Sequence, residues 1–137
     1  MMFRIRIAMI TTVLVTCMAM VSCTTTVGDA RDQYRLTRKG NLWEVLVRGK
    51  VSEIHRAVEL GVHSLGLKTV SNTHDQVSAL VNGFFADQKE FNITLRKQSP
   101  GVVRMRIRVG IIGDEQRTTQ LFQAIEQNFP RSRFSPP

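Results

Sequence analysis

From Val103 to Val109 the chain alternates without a break, with Val103, Met105, Ile107 and Val109 on one side of an extended backbone and Arg104, Arg106 and Arg108 on the other. A strand written this way buries one face and wets the other. Phe91, Ile93 and Leu95 alternate in the same manner with Asn92, Thr94 and Arg96, and Gln98-Ser99-Pro100-Gly101 turns the chain between the two segments. Leu42 to Arg48, rich in Trp, Val and Leu, predicts a further strand after the turn residues Lys39-Gly40-Asn41. Leu67 to Ser71 reads as a short strand and Val77 to Phe85 as a longer one, with Asn72 to Gln76 as the turn that separates them.

Two segments follow a helical period instead. Ile54, Val58, Gly61, Val62 and Leu65 recur at spacings of three and four, which predicts an amphipathic helix from Val51 to Leu65 stopped by Gly66. After Gly110 and Gly113, Asp114 is a good N-cap, and Leu121, Phe122, Ile125 and Phe129 form the buried stripe of a second helix. The order strand, helix, four strands, helix predicts an α+β fold: an antiparallel sheet of four to five strands with both helices on one face. The four strands joined by short turns should form a meander. The first strand reaches the sheet through a helical crossover, so its place, parallel to a central strand or at an edge, is left open.

The N-terminal pattern is of another kind. Arg4 and Arg6 precede an apolar run from Ile7 to Val21, and the run closes on Met20-Val21-Ser22-Cys23. A bilayer-spanning helix needs about 20 predominantly apolar residues, and this stretch has about 15, diluted by Thr11, Thr12 and Thr16. Thr24-Thr25-Thr26 follows in place of a Lys/Arg flank, so a signal peptide is the expectation. The chain then divides into a signal over 1–22, a cysteine and polar tether over 23–33, a single α+β domain over 34–130 and a disordered, proline-ended tail over 131–137.

Met20-Val21-Ser22-Cys23 resembles the lipobox of bacterial lipoproteins, with Met20 standing where Leu is most common. The resemblance implies cleavage between Ser22 and Cys23, a diacylglycerol on the Cys23 sulfur and a further acyl chain on the new amino group. Cys17, preceded by Leu14-Val15-Thr16, is the competing site, with the β-branched Thr16 poorly suited to stand beside a cleaved bond. Two or three acyl chains make an anchor effectively permanent, because each buried methylene contributes about 0.8 kcal/mol. Under the sorting rule of enteric bacteria, Thr24 rather than Asp after the cysteine implies the outer membrane, with the head facing the periplasm. The layout of elements, and the ending Arg108-Val109-Gly110-Ile111-Ile112-Gly113-Asp114-Glu115 that runs into the last helix, resemble a family of small bacterial lipoproteins known as a domain of unknown function. That resemblance implies an exported, anchored α+β head and brings no activity with it.

Charge changes the picture of the partner. The formal net charge is +8, and the loss of Arg4 and Arg6 with the signal leaves about +6 on a head of about 115 residues, enough for one core. An exported basic chain meets lipid phosphates and acidic polymers of the envelope, or an envelope protein, rather than nucleic acid. Both cysteines, Cys17 and Cys23, precede the head, so it has no disulfide and no thiol metal site.

The candidate chemistry is sparse. Arg104, Arg106 and Arg108 recur about 6.6 Å apart along one strand face, a spacing that can track acidic groups, against the plainer reading of a solvated face that discourages strand aggregation. Asp87 and Glu90 are the nearby carboxylates expected to neutralise part of the patch. Trp43, Phe84 and Phe85 could form an apolar companion surface, although core packing is the expectation for at least two of them. Asp114 and Glu115 sit at a helix start, which favours capping over acid–base chemistry. The Gly110-x-x-Gly113 pair lacks the Lys-Ser/Thr of a phosphate loop and reads as strand termination. His55 and His63 lie about 80° apart around a helix, and with His74 they are not expected to share a metal. The expectation is a protein without catalytic residues, metal or cofactor, whose head has a structural or binding role; the alternatives are a binder of anionic envelope components through the arginine face and, in another class, an envelope enzyme.

Overall fold

The structure, a computed structural model, describes residues 34–130. Six strands and two helices follow in the order β1 (Thr37–Lys39), β2 (Leu42–Arg48), α1 (Val51–Ser64), β3 (Lys68–His74), β4 (Ser78–Phe84), β5 (Glu90–Ser99), β6 (Val102–Val109) and α2 (Glu115–Glu126). All neighbouring strands are antiparallel, in the spatial order β1-β2-β6-β5-β4-β3. The α+β class and the meander β3 to β6 agree with the sequence pattern, but the strand count is six rather than four to five. The additional strand, β1, consists of Thr37, Arg38 and Lys39, which show no alternation. Only pairing with β2 across Gly40, whose φ of 65° is the left-handed conformation a tight turn needs, makes them a strand.

The first long strand, β2, takes a place outside both expected ones. It lies antiparallel beside β6, with Val45 opposite Met105 and Val47 opposite Val103, and β1 covers the upper half of its other side. Helix α1 therefore carries the chain across the sheet from β2 to the far edge strand β3. That strand runs on to His74, so the turn shrinks to the residues around Asp75, whose Oδ1 accepts the backbone N–H of Val77 and of Ser78 at 2.8 Å each. Polar on both faces, Asn72 to His74 are ordered by the ladder to β4 rather than by burial.

One face of the sheet builds the core. Val45, Val47, Ala79, Val81, Phe91, Ile93, Leu95, Val103, Met105, Ile107 and Val109 pack against Ile54, Val58 and Val62 of α1 and Leu121, Phe122 and Ile125 of α2, all buried. Two glycines permit the closest approaches. A Cβ on Gly61 would stand 2.8 Å from the Ile125 backbone, so this residue sets the α1–α2 separation. A Cβ on Gly83 would stand 2.7 Å from the Phe91 ring, which covers that glycine from the adjoining strand.

The two ends of the molecule differ. Tyr34 packs its ring edge-on against Phe129, 5.1 Å between centroids, just beyond the C-terminal end of α2. The Gly110–Gly113 loop precedes the N-terminal end of α2, so the entering chain and this loop lie at opposite ends of the helix.

Candidate functional site

The face of the sheet turned away from the helices is open, and strict alternation along β6 places Arg104, Arg106 and Arg108 on it together, as their spacing predicts. Cross-strand pairing adds residues that the sequence could not bring there. Arg104 stands directly opposite Arg96 of β5 on one side and Leu46 of β2 on the other; Arg106 stands between Thr94 and Glu44; Arg108 stands opposite Asn92. Two arginines directly opposed on neighbouring strands repel, which is an unfavourable pairing unless an anion lies between them.

The ion-paired counter-charge on this face comes from Glu44, and neither Asp87 nor Glu90 forms an ion pair with an arginine of the stripe. Asp87 is held in a two-pronged ion pair by Arg117 of α2, 2.6 Å on each oxygen, and Glu90 lies at the far end of β5 opposite Phe84. Glu44 is only 8% exposed and accepts hydrogen bonds from Lys39 Nζ at 2.8 Å and Arg106 Nε at 2.9 Å. These two bonds outweigh desolvation and lower its pKa from 4.5 to about 2. Arg104 Nε lies 3.8 Å from the same carboxylate, too far for a hydrogen bond, and is buried without a hydrogen-bonding partner. Among the described residues, Arg96 and Arg108 form neither a hydrogen bond nor an ion pair through their side chains. One carboxylate is thus shared among three cations, and the excess positive charge collects at Arg96, Arg104 and Arg108.

Their surface is concave. A depression of about 400 Å³ is lined by all four arginines together with Asn92 and Thr94. Asn92 donates to Asn82 at 2.6 Å and accepts from Thr94 Oγ1 at 3.1 Å, so this polar floor is internally ordered. A second depression of about 820 Å³ shares Asn92 and Arg108 with the first and continues to Phe84, Ile111 and Ile112. The two together form one trough, cationic at one end and, at the other, apolar at Phe84, Ile111 and Ile112 with Asp87, Lys89, Glu90 and Asp114 around them.

The apolar end was invisible to pattern reading. Gly110 and Gly113 terminate the strand as expected, with φ of 69° and 89°, but the two residues between them are Ile111 and Ile112, 91% and 82% exposed. The loop is tightly held: Asp114 N–H donates to the Val109 carbonyl at 2.9 Å, and Asn41 Nδ2 to that of Ile111 at 3.4 Å. A Cβ on Gly113 would stand 2.6 Å from the Asn41 carbonyl oxygen. Two consecutive isoleucines in a turn carry no periodicity, so only their exposure marks them.

Of the aromatic candidates, Phe85 packs edge-on against Phe91, 5.9 Å between centroids, and joins the core, while Trp43 lies on the helix side of the sheet under the Arg38 guanidinium. Phe84 alone faces the trough. Asp114 caps α2, as expected: Oδ1 accepts from Arg117 N–H and Oδ2 from Lys89 Nζ, both at 3.0 Å, and these bonds hold its carboxyl below the usual carboxylate range. His55 is buried and stacks on His74, 4.4 Å between ring centroids, with Nε2 2.5 Å from Asn72 Oδ1; His63 is exposed elsewhere on α1. Among the described residues no three His, Cys, Asp or Glu side chains are arranged to hold a metal ion.

Ser22, Cys23 and the segments 1–33 and 131–137 lie outside the described residues. No helix among the described residues is long and apolar enough to cross a membrane. The sequence matches the family described as "Protein of unknown function (DUF3568)" over residues 1–128, and the chain belongs to that family. No curated protein matches the chain.

Proposed function

We propose, for this member of a family without an assigned activity, a lipid-anchored protein of the bacterial cell envelope whose basic head binds anionic envelope components through its open sheet face. Cys23 is the lipidated residue, Ser22-Cys23 the cleaved bond, and the outer membrane, viewed from the periplasm, the address. The lipobox-like Met20-Val21-Ser22-Cys23 supports the anchor. The observation that carries the binding role is the direct opposition of Arg96 and Arg104, with Arg108 two rows further along the same face and a single ion-paired carboxylate, Glu44, within the cluster. Such a cluster is stabilised by an external oxyanion, which guanidinium groups grip with paired N–H donors.

The head is non-catalytic in this reading. Glu44 on the open face, and Asp87 and Asp114 of the trough lining, are each tied to cations that hold them ionised, Asp87 by Arg117 at about 2. None is poised to exchange a proton near neutral pH, as general acid–base chemistry requires. The role needs no metal, cofactor or nucleic acid.

Two experiments test the reading. Intact mass of the membrane-extracted protein should start at Cys23 with added acyl mass, and Cys23→Ala should lose both that mass and membrane retention; an unacylated wild-type chain would refute the anchor. Detergent-solubilised full chain should bind immobilised lipopolysaccharide in a salt-sensitive manner, and Arg96→Glu/Arg104→Glu/Arg108→Glu should reduce that binding at least about tenfold. Undiminished binding by the triple variant would refute the arginine face.

A further inference from the structure

The trough is amphipathic, and its two ends point to one surface. Arg96, Arg104 and Arg108 form its cationic end, and Phe84, Ile111 and Ile112 its apolar end, with Asn92 and Arg108 belonging to both depressions. Exposed isoleucines that are side by side and rigidly mounted are costly in water and carry no packing role within the head. Of the three carboxylates around the apolar end, Asp87 is paired with Arg117 and Asp114 with Lys89, so that Glu90 alone, against Arg96, Arg104 and Arg108, offsets part of the positive field. Leu46, 52% exposed opposite Arg104, adds an apolar contact at the cationic end.

We propose that the open sheet face docks on an anionic bilayer, with Arg96, Arg104 and Arg108 on lipid phosphates and Ile111 and Ile112 entering the acyl boundary. This rests on the reading of the arginine face as an anion-binding surface and adds to it the source of the anion, the orientation of the head and the apolar wedge. Cations at headgroup level beside aliphatic side chains below it are the arrangement by which peripheral proteins hold a membrane interface. Chain length allows it on the same bilayer that holds the anchor. The stretch from Cys23 to Tyr34 reaches at most about 35–40 Å, while the longest strand, β5, spans about 33 Å. The head can therefore lie flat from its anchored end at Tyr34 to the Gly110–Gly113 loop at the other.

The test uses the full chain reconstituted in vesicles, with Ile112→Trp introduced into a Trp43→Phe background and acyl-brominated lipids as quenchers. A parallel Ile112→Trp variant retains Trp43, so that the quenching of Trp43, measured in the unsubstituted chain, can be subtracted if Trp43→Phe impairs folding. Phosphatidylglycerol-containing vesicles should blue-shift the new tryptophan and quench it at least about twofold. Phosphatidylcholine vesicles, and the same chain carrying Arg96→Glu/Arg104→Glu/Arg108→Glu, should not. An unquenched tryptophan on anionic vesicles would overturn the docking, and equal quenching on phosphatidylcholine would overturn the choice of an anionic surface. Binding to lipopolysaccharide in detergent that depends on the arginines, combined with no quenching, would remove the bilayer and leave the anion-binding face standing; loss of both would remove both.

Discussion

Glu44→Gln isolates the electrostatics of the open face, because it removes one charge and keeps the shape. In the native protein the carboxyl is held at about 2 rather than 4.5. At about 1.4 kcal/mol per tenfold change in proton affinity, linkage sets an upper bound of about 3 kcal/mol on what this ionisation contributes to folding. Lys39 and Arg106 are 58% and 47% exposed, so solvent screens both partners, and the realised contribution is about 1–2 kcal/mol. The sign follows from a depressed folded-state pKa: the stabilisation is complete above the unfolded value near 4.5 and disappears as pH falls toward 2. Urea unfolding at pH 7 should therefore find Glu44→Gln less stable by about 1–2 kcal/mol, and the gap should close by about pH 2. The same variant releases Arg106 from its internal counterion, so binding to lipopolysaccharide should tighten by about two- to fivefold at low salt. A loss that stays constant from pH 7 to pH 2 would refute the ion-pair account, since a purely steric effect has no reason to titrate.

Other consequences follow from packing and capping. Gly61→Ala, which in an exposed helix would stabilise by up to about 1 kcal/mol, should here cost about 2–3 kcal/mol, because the new methyl meets the Ile125 backbone at 2.8 Å; a raised Tm would refute the close α1–α2 contact. Phe91→Ala should cost about 3–5 kcal/mol by chemical denaturation, since it empties the centre of the core and uncovers Gly83. Asp114→Ala should cost about 1 kcal/mol through the lost cap on Arg117 N–H, and Asp114→Asn should recover most of it, which separates the hydrogen bond from the charge on Lys89.

Much of the candidate site was readable along β6, because the period of two places Arg104, Arg106 and Arg108 on one face whatever the neighbouring strands are. Arg96 belongs to the same cluster and was readable as an outward residue of β5, yet nothing in the linear order says that it stands opposite Arg104. Glu44 is the plainest case of what pattern misses. It lies in an apolar run where a lone charge reads as an ordinary surface residue, and it becomes the buried hub of the face only because β2 pairs with β6.

The local elements were legible in the chain: two amphipathic helices, the alternating strands, the Asp114 cap, the glycine turns and the inward faces of β5 and β6. These depend on periodicity, on N–H groups that need partners and on backbone conformations that only particular residues adopt, all of which act within a few neighbours. Folding in three dimensions was needed to make the short polar segment Thr37–Lys39 a strand, to set β2 antiparallel between β1 and β6, to place Glu44 among the arginines, and to leave Ile111 and Ile112 in solvent beside Arg108. Those outcomes depend on which strands become neighbours. Register and proximity are set by how the entire core closes, and residues far apart in the chain carry no mark of it until it does.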